Sequence, residues 1–215
     1  VEKGLMGSVF YHQIYNVYLT DERIGPDVDN VSLVEGAKYT KKEHHFDEAF
    51  GYWGVPVNFP QELTGDEKRF WANYTYGRSP LTGSVEILKN AFLEGRTAIV
   101  NDDQSTLDLS VSTISEELEI VTAATAIHYL NDAQEYLSQG DIGSLFHVLS
   151  EAYLFIRAIK MNPNAQLSGD QIDTLLQSGL GAGGDFWTID AATLAATKQT
   201  IGAAYPRFDS YIDQL

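Results

Sequence analysis

The stretch "IGSLFHVLSEAYLFIRAIK", residues 142–160, decides the fold class because its apolar residues recur at helical spacing. One face repeats at steps of three and four residues: Leu145, Leu149, Ala152 and Ile156. Leu154 and Ala158 make the opposite side apolar as well, and a helix that is apolar on both sides is typical of a protein interior. The pattern therefore predicts a central helix that buries His147 and Glu151.

The same periodicity and helix-start signals predict six more helices. Their expected ranges are 4–19, 40–54, 84–100, 113–137, 168–179 and 190–205. Three of them begin with capping-box pairs: Thr40 with Glu43, Thr113 with Glu116, and Ser168 with Gln171. No strand series is evident, so the sequence predicts an all-α helical bundle, with residues 1–215 as a single domain.

Residues 55–83 are predicted to form a long irregular loop, since they contain Pro56, Pro60 and Pro80. The loop and its start are rich in aromatic residues: Trp53, Phe59, Phe70, Trp71, Tyr74 and Tyr76. These rings could stack on a sugar or on a partner protein, or they could pack beneath the loop. One functional hypothesis is therefore a structural or interaction module that binds a protein or glycan partner.

The composition excludes several classes of function. The chain has 30 acidic residues against 14 Lys and Arg, a formal charge of −16, so it lacks the basic surface that nucleic acids require. Cysteine is absent, which excludes disulfides, thiolate metal sites and thiol nucleophiles. No apolar run approaches the ~20 residues of a transmembrane span.

Four of the five histidines are expected at or near buried helix faces: His12, His45, His128 and His147. His45 and Glu48 are three residues apart on one helix flank, with Tyr52 beside them, so an imidazole and a carboxylate could converge there. His44 and Glu48, four apart, form the competing pair. His128 has Asp132 one turn away, and His147 has Glu151.

These positions predict a metal site inside the bundle, with ligands drawn from several helices: His45, Glu48, His128, His147 and Glu151. Imidazole and carboxylate without thiolate suit iron, zinc, copper or manganese, and these ligand types do not choose among them. The alternative is a set of separate core histidines, each hydrogen-bonded to a local acid or carbonyl.

A second candidate cation site is "GPDVDNVSLVEG", residues 25–36, whose oxygen donors would suit calcium. It lacks the EF-hand spacing and turn glycine, so a solvated acidic turn is the favoured interpretation. For catalysis, the chain contains no GxSxG, HExxH, phosphate-loop or dinucleotide motif. We therefore expect no enzyme activity, and a metal-dependent hydrolase ranks last among the functions considered.

Three segments carry a family resemblance: "EHHFDEAFGYWGVPVNFP", "TAIHYLND" and "HVLSEAYLFIRAIKMNP". They resemble a domain-of-unknown-function family of bacterial cell-envelope lipoproteins grouped near the imelysins. The imelysin hallmark is a GxHxxE motif. His45 and Glu48 match it, whereas Glu43 stands where the motif has glycine.

The resemblance implies an all-helical, metal-binding envelope protein, with iron as the expected ion and metal uptake as the expected role. It also implies a periplasmic or outer-membrane location. The chain would then be the C-terminal portion of a longer protein, whose preceding part would carry any lipid anchor. An envelope protein or glycan remains the alternative partner.

Overall fold

The computed structural model describes residues 2–56, 59 and 63–215, and these residues are mainly helical. Within them, β-type pairing is confined to two isolated bridges, Leu33 with Thr40 and Gly179 with Gly181. The predicted all-α class is therefore confirmed. By its internal contacts the chain divides into two compact units, Ser8–Leu118 and Val1–Gly7 with Glu119–Leu215. The single domain expected from the sequence stays a prediction.

Nine α-helices make up most of the described chain: α1 Glu2–Leu5, α2 Asp21–Ile24, α3 Lys41–Trp53, α4 Trp71–Thr82, α5 Ser84–Val100, α6 Gln104–Gln139, α7 Ile142–Ile159, α8 Gly169–Ser178 and α9 Ala191–Ala204. Two π-helical turns follow α1, Met6–Tyr11 and Ile14–Tyr18. Short 3₁₀ turns lie at Gly65–Glu67, Ala182–Gly184, Phe186–Thr188, Pro206–Phe208 and Ile212–Gln214.

Aromatic rings form the core of the Ser8–Leu118 unit. Trp53 of α3 stacks on Phe92 of α5, with ring centroids 5.6 Å apart and planes 12° from parallel. Trp71, at the start of α4, stacks on Tyr11 at 3.7 Å and 7°. Offset and stacked aromatic pairs of this kind add to the apolar burial that stabilises a core.

In the other unit, α7 buries the apolar face Leu145, Leu149, Ala152 and Ile156 that its sequence predicts. Its buried side chains are Leu145, Val148, Leu149, Ala152, Phe155, Ile156, Ala158 and Ile159. Gly4 of α1 lies against Leu154, and α8 packs on α7 from another direction. By length and composition α7 could also cross a membrane, a test that core helices of globular domains pass as well.

One buried carboxylate lies in the interior of each unit, and both come from α6. The Ser84 hydroxyl donates to Glu117 at 2.5 Å. Glu119 accepts hydrogen bonds from the Tyr205 hydroxyl at 2.7 Å and from the Asn162 side chain at 2.5 Å. Because a buried carboxylate is costly without such donors, these contacts explain how the two acids are tolerated. Periodicity alone did not predict them.

The long helix α6 begins earlier than predicted. It starts at Gln104, where the sequence predicts a start at Thr113. The Asp103 side chain accepts from the backbone N–H of Thr106 at 3.1 Å and from the Thr106 hydroxyl at 2.7 Å, so Asp103 supplies the cap. Thr113 lies inside the helix, where its hydroxyl bonds back to the carbonyl of Leu109.

The predicted irregular loop over residues 55–83 is wrong for its second half. Residues 71–82 form α4, which includes Pro80 near its end. Trp71 and Thr75 are fully buried on this helix, so tertiary packing outweighs the single backbone hydrogen bond that proline removes. Part of the predicted loop, residues 57–58 and 60–62, lies outside the described residues.

The first predicted helix is present, but the prediction that His12 lies at or near a buried face is wrong. Leu5 and Val9 are substantially exposed, and His12, which the sequence places inward, is also exposed. Tyr11 and Ile14 are buried instead. The predicted position of His12 assumes α-helical spacing, whereas π turns close with i to i+5 hydrogen bonds and shift the faces of every residue before them.

Candidate metal centre

The helix α3 carries the first two predicted ligands, and its ends form as its sequence predicts. The Thr40 hydroxyl accepts from the backbone N–H of Glu43 at 3.2 Å, and the Glu43 carboxylate accepts from the backbone N–H of Thr40 at 2.7 Å. This capping box fixes the start of the helix. Gly54 ends it with a φ of 95°, a conformation that favours glycine.

Arg96 of α5 holds the flank of α3 that faces away from His45. Its Nη1 donates to Glu43 at 2.6 Å and its Nε donates to Asp47 at 2.9 Å. Phe46 lies between the two helices, where it is 1% exposed and meets the ring of Phe92 edge-on. The helix is therefore fixed in rotation, which in turn fixes the direction of His45 and Glu48.

His45 is the most unusual side chain of the site. It is 8% exposed, and neither of its ring nitrogens has a hydrogen-bond partner within the described parts of the chain. Burial and the positive charge of Arg23 lower its pKa, so the ring is neutral near pH 7. A neutral imidazole with a free nitrogen lone pair is the form that binds metal ions.

Glu48 pairs with His44, the competing partner that the sequence predicts. Its carboxylate is 3.7 Å from Nε2 of His44, and both side chains are about 40% exposed. Its negative charge also acts on His45, where it opposes the lowering of the pKa. The structure therefore shows the pair of Glu48 with His44, and the pair of Glu48 with His45 stays a prediction.

Two tyrosines complete the surroundings of His45. The ring of Tyr18, from the second π turn, lies 6.1 Å from the His45 ring and 5.8 Å from the ring of Tyr52. Burial raises the pKa of Tyr52, and the neighbouring Tyr18 and Glu48 add to this effect. The sequence places Tyr52 on this flank of α3, but Tyr18 comes from a segment whose register the sequence did not predict.

The other three predicted ligands lie in the second unit, on α6 and α7. Nε2 of His128 is 3.6 Å from Asp132, with both side chains about one-third exposed, in agreement with a position at the edge of a buried face. Nε2 of His147 is 3.6 Å from Glu151. Both pairs are local, four residues apart on one helix.

The prediction that His147 is buried is wrong, since its side chain is 71% exposed. The apolar positions in line with it are covered further along α7, where Gly4 meets Leu154 and Gly7 meets Ala158. That cover lies two to three turns beyond His147. The side of α7 that carries His147 is therefore buried only where the segment around Gly4 and Gly7 covers it, and that cover does not reach His147.

Over the described residues, the structure shows no group of three or more His, Asp or Glu side chains that could hold a metal ion. His45 and Glu48 belong to one unit, and His128, His147 and Glu151 to the other. The five-residue site stays a prediction. The residues present fit the first two ligands of a site: a neutral, buried imidazole at His45 and a carboxylate at Glu48, one turn along α3.

The calcium candidate at residues 25–36 behaves as an acidic turn. Asp29 accepts from the backbone N–H groups of Val31 and Ser32 at 2.9 and 3.0 Å, an arrangement that lowers its pKa. Asn30 donates to the carbonyl of Ile99 and accepts from Thr40, so its side chain is engaged in packing the loop. The side-chain oxygens of Asp29 and Asn30 therefore accept hydrogen bonds that stabilise the turn and its packing.

The aromatic residues of the predicted binding loop are mostly used inside the protein. Trp71 is fully buried against Tyr11, and the indole N–H of Trp53 donates to Thr75 at 3.0 Å. Phe59 packs edge-on against Trp53. Phe70 is the exposed member, at 45%, and it meets Phe10. A buried Trp71 cannot stack on a glycan or a partner, so packing explains most of this cluster.

Taken with its fold, the chain is an all-α protein of two compact units with a histidine-centred candidate site in the first. The family model "Domain of unknown function (DUF4856)" matches residues 1–207, and the chain belongs to this family. Comparison with curated proteins and with solved structures finds no match. The family description names no function and no link to imelysins, so that resemblance stays a prediction.

Proposed function

We propose that this protein binds a metal ion through His45 and Glu48. The observation that supports the proposal is the state of His45: a side chain that is 8% exposed, with both ring nitrogens lacking a hydrogen-bond partner in the described structure. A buried polar group without a partner destabilises a fold by about 1–3 kcal/mol. Such a group is explained if a ligand satisfies it.

The surroundings of His45 favour a metal over a proton. Burial and the charge of Arg23 keep the imidazole neutral, and metal binding requires a neutral imidazole. Glu48, three residues along the same helix, supplies the negative charge that a cation needs. The Arg96 contacts with Glu43 and Asp47 hold α3 from its other side, which preserves the geometry of the two ligands.

The assignment to iron and to the bacterial cell envelope is part of the same proposal. Both come from the imelysin-like resemblance of the segments around His45, His128 and His147. In that setting the protein would take up or deliver metal, and catalysis would not be required. The donor set of imidazole and carboxylate is compatible with iron and also with zinc or copper.

The test is metal content and metal binding of matched variants. Protein purified without chelator is analysed for bound metals, then stripped and titrated separately with iron and with zinc. His45→Gln and Glu48→Gln remove the proposed ligands. His147→Gln and Glu151→Gln are the controls, because they alter an imidazole and a carboxylate of the same types, 3.6 Å apart on α7 of the other unit.

We expect about one metal ion per wild-type chain, unchanged binding in the two controls, and a loss of at least about tenfold in affinity in the His45 and Glu48 variants. A wild-type protein that binds neither iron nor zinc contradicts the proposal. Equal binding by wild type and His45→Gln contradicts it as well. Circular dichroism of each variant confirms that the helices remain folded.

A further inference from the structure

We propose that Tyr18 and Tyr52 are additional ligands of the His45 and Glu48 site, and that the four side chains together select ferric iron. The inference rests on the proposed function, and it names the ion and the ligands that complete the site. It starts from an arrangement of rings on α3 and on the π turn Ile14–Tyr18.

The ring of Tyr18 lies beside both His45 and Tyr52. Its centroid is 6.1 Å from that of His45 and 5.8 Å from that of Tyr52, with the two phenol rings 28° from parallel. Nearly parallel phenol rings side by side can bring their hydroxyl groups to the same side. Neither hydroxyl is committed to a hydrogen bond within the described structure, so both are free to bind a ligand.

Glu48 belongs to the same cluster. It is three residues from His45 and four from Tyr52 on α3, so the three side chains lie on one flank of the helix. The position of Tyr18 is itself notable, because π turns in proteins occur frequently at functional sites. Here the second π turn carries Tyr18 to α3.

Charge balance favours a trivalent ion. With Glu48 ionised and both phenols deprotonated, the three oxygen ligands carry three negative charges, and neutral His45 adds none. A ferric ion would be neutralised by this set, whereas zinc or ferrous iron would leave a net negative charge in a partly buried site. Tyrosinate oxygen is a known ligand of iron in proteins.

The binding step balances without a redox partner. Two Tyr O–H bonds break, two iron–oxygen bonds form in their place, and two protons pass to solvent for each ferric ion bound. Iron remains ferric throughout. The positive groups near His45 are Arg23, Lys41 and, when protonated, His44, and they act against the charge of the ion from outside the ligand set.

The experiment uses ferric citrate as the iron source and zinc chloride as the divalent comparison. Iron bound by phenolate gives a tyrosinate-to-iron charge-transfer band in visible light, a signature that imidazole and carboxylate ligands do not produce. The variants are Tyr18→Phe, Tyr52→Phe and the double variant, which keep the rings and so preserve packing. Tyr76→Phe, on α4, is the control, since Tyr76 lies beside Lys68 and outside this cluster.

We expect wild type and Tyr76→Phe to bind one ferric ion and to show the visible band. Each single variant should lose part of the band and bind ferric iron at least about tenfold more weakly, and the double variant should lose the band. Zinc binding should change much less, because zinc does not need the phenolates for charge balance.

Two failures are distinguishable. If metal binds in a His45-dependent manner but no visible band forms, or if both tyrosine variants bind ferric iron as wild type does, the inference is overturned and the two-ligand site stands. If wild type binds neither ferric iron nor zinc, the proposed function fails and this inference fails with it.

Discussion

Replacing His45 with leucine should make the metal-free protein more stable. Leucine is similar in size to histidine and has no polar atoms, so it removes a buried imidazole whose two nitrogens lack partners in the described structure. Desolvating such a group without compensation costs about 1–3 kcal/mol, and we expect a gain of that order in the free energy of unfolding at pH 7.5. A residue that lowers stability where it stands is typical of a site kept for function.

The gain should increase as the pH falls. In the folded protein the pKa of His45 lies below its ordinary value of 6.5, because burial and Arg23 disfavour the charged ring. Below pH 6.5 the unfolded chain therefore takes up a proton that the folded chain does not, and the wild type loses up to about 1.4 kcal/mol per pH unit until the folded pKa is reached. The stability of His45→Leu does not depend on pH through this residue, because leucine does not bind a proton. The other histidines are common to both proteins and cancel.

The assay is urea denaturation in the presence of a chelator, with unfolding monitored by tryptophan fluorescence. Trp53 and Trp71 are buried in the Ser8–Leu118 unit, whereas Trp187 is 74% exposed in the other unit, so the signal reports mainly the unfolding around the site. A change of 1–3 kcal/mol moves the midpoint by roughly 0.5–1.5 M urea. His147→Leu, at an exposed position, should change stability by less than about 0.5 kcal/mol.

A loss of more than about 1 kcal/mol in His45→Leu would refute the reasoning. It would mean that the imidazole has a stabilising partner, such as a buried water, and that its nitrogens are satisfied without a metal. A stability difference that stays constant between pH 7.5 and pH 5.5 would refute the pKa argument separately.

Three other variants test the packing of the two units, two in the Ser8–Leu118 unit and one in the other. Gly95→Ala should destabilise the protein by about 1–3 kcal/mol, because the new Cβ would lie 2.6 Å from the ring of Phe46. Gly77→Ala, which has open space around it, should be neutral or stabilise the protein by up to about 1 kcal/mol. Urea midpoints followed by circular dichroism measure both effects. Tyr205→Phe should cost about 1–3 kcal/mol, because Glu119 loses a donor at 2.7 Å, and an unchanged thermal midpoint would contradict this.

The parts of the site that the sequence predicted correctly are those set by local signals. The Thr40 capping box and Gly54 both act within a few residues of themselves, so the limits of α3 could be derived from the sequence alone. The burial of His45 and the flank shared with Tyr52 followed from one helical period on α3. The position of Tyr18, whose ring centroid lies 6.1 Å from that of His45, depends on a second segment, and no pattern in that segment predicts its π turns.

The errors have a common physical cause in tertiary packing. Pro80 suggested an irregular segment, but the burial of Trp71 and Thr75 stabilises α4 around it. His147 shares a helix side with Leu154, yet only Leu154 is covered by α1. In each case the local sequence indicates a backbone conformation or a degree of burial, and packing against a segment distant in sequence determines whether the residue adopts it.

The π turn Ile14–Tyr18 has an evolutionary consequence. A π turn is what results when one residue is inserted into an α-helix, so a relative with one residue fewer here could close the same turn as α-helix. All residues before the deletion would then rotate by about 100° around the helix axis. Tyr11 would leave the face of Trp71, and compensating changes in that core would have to accompany the gap.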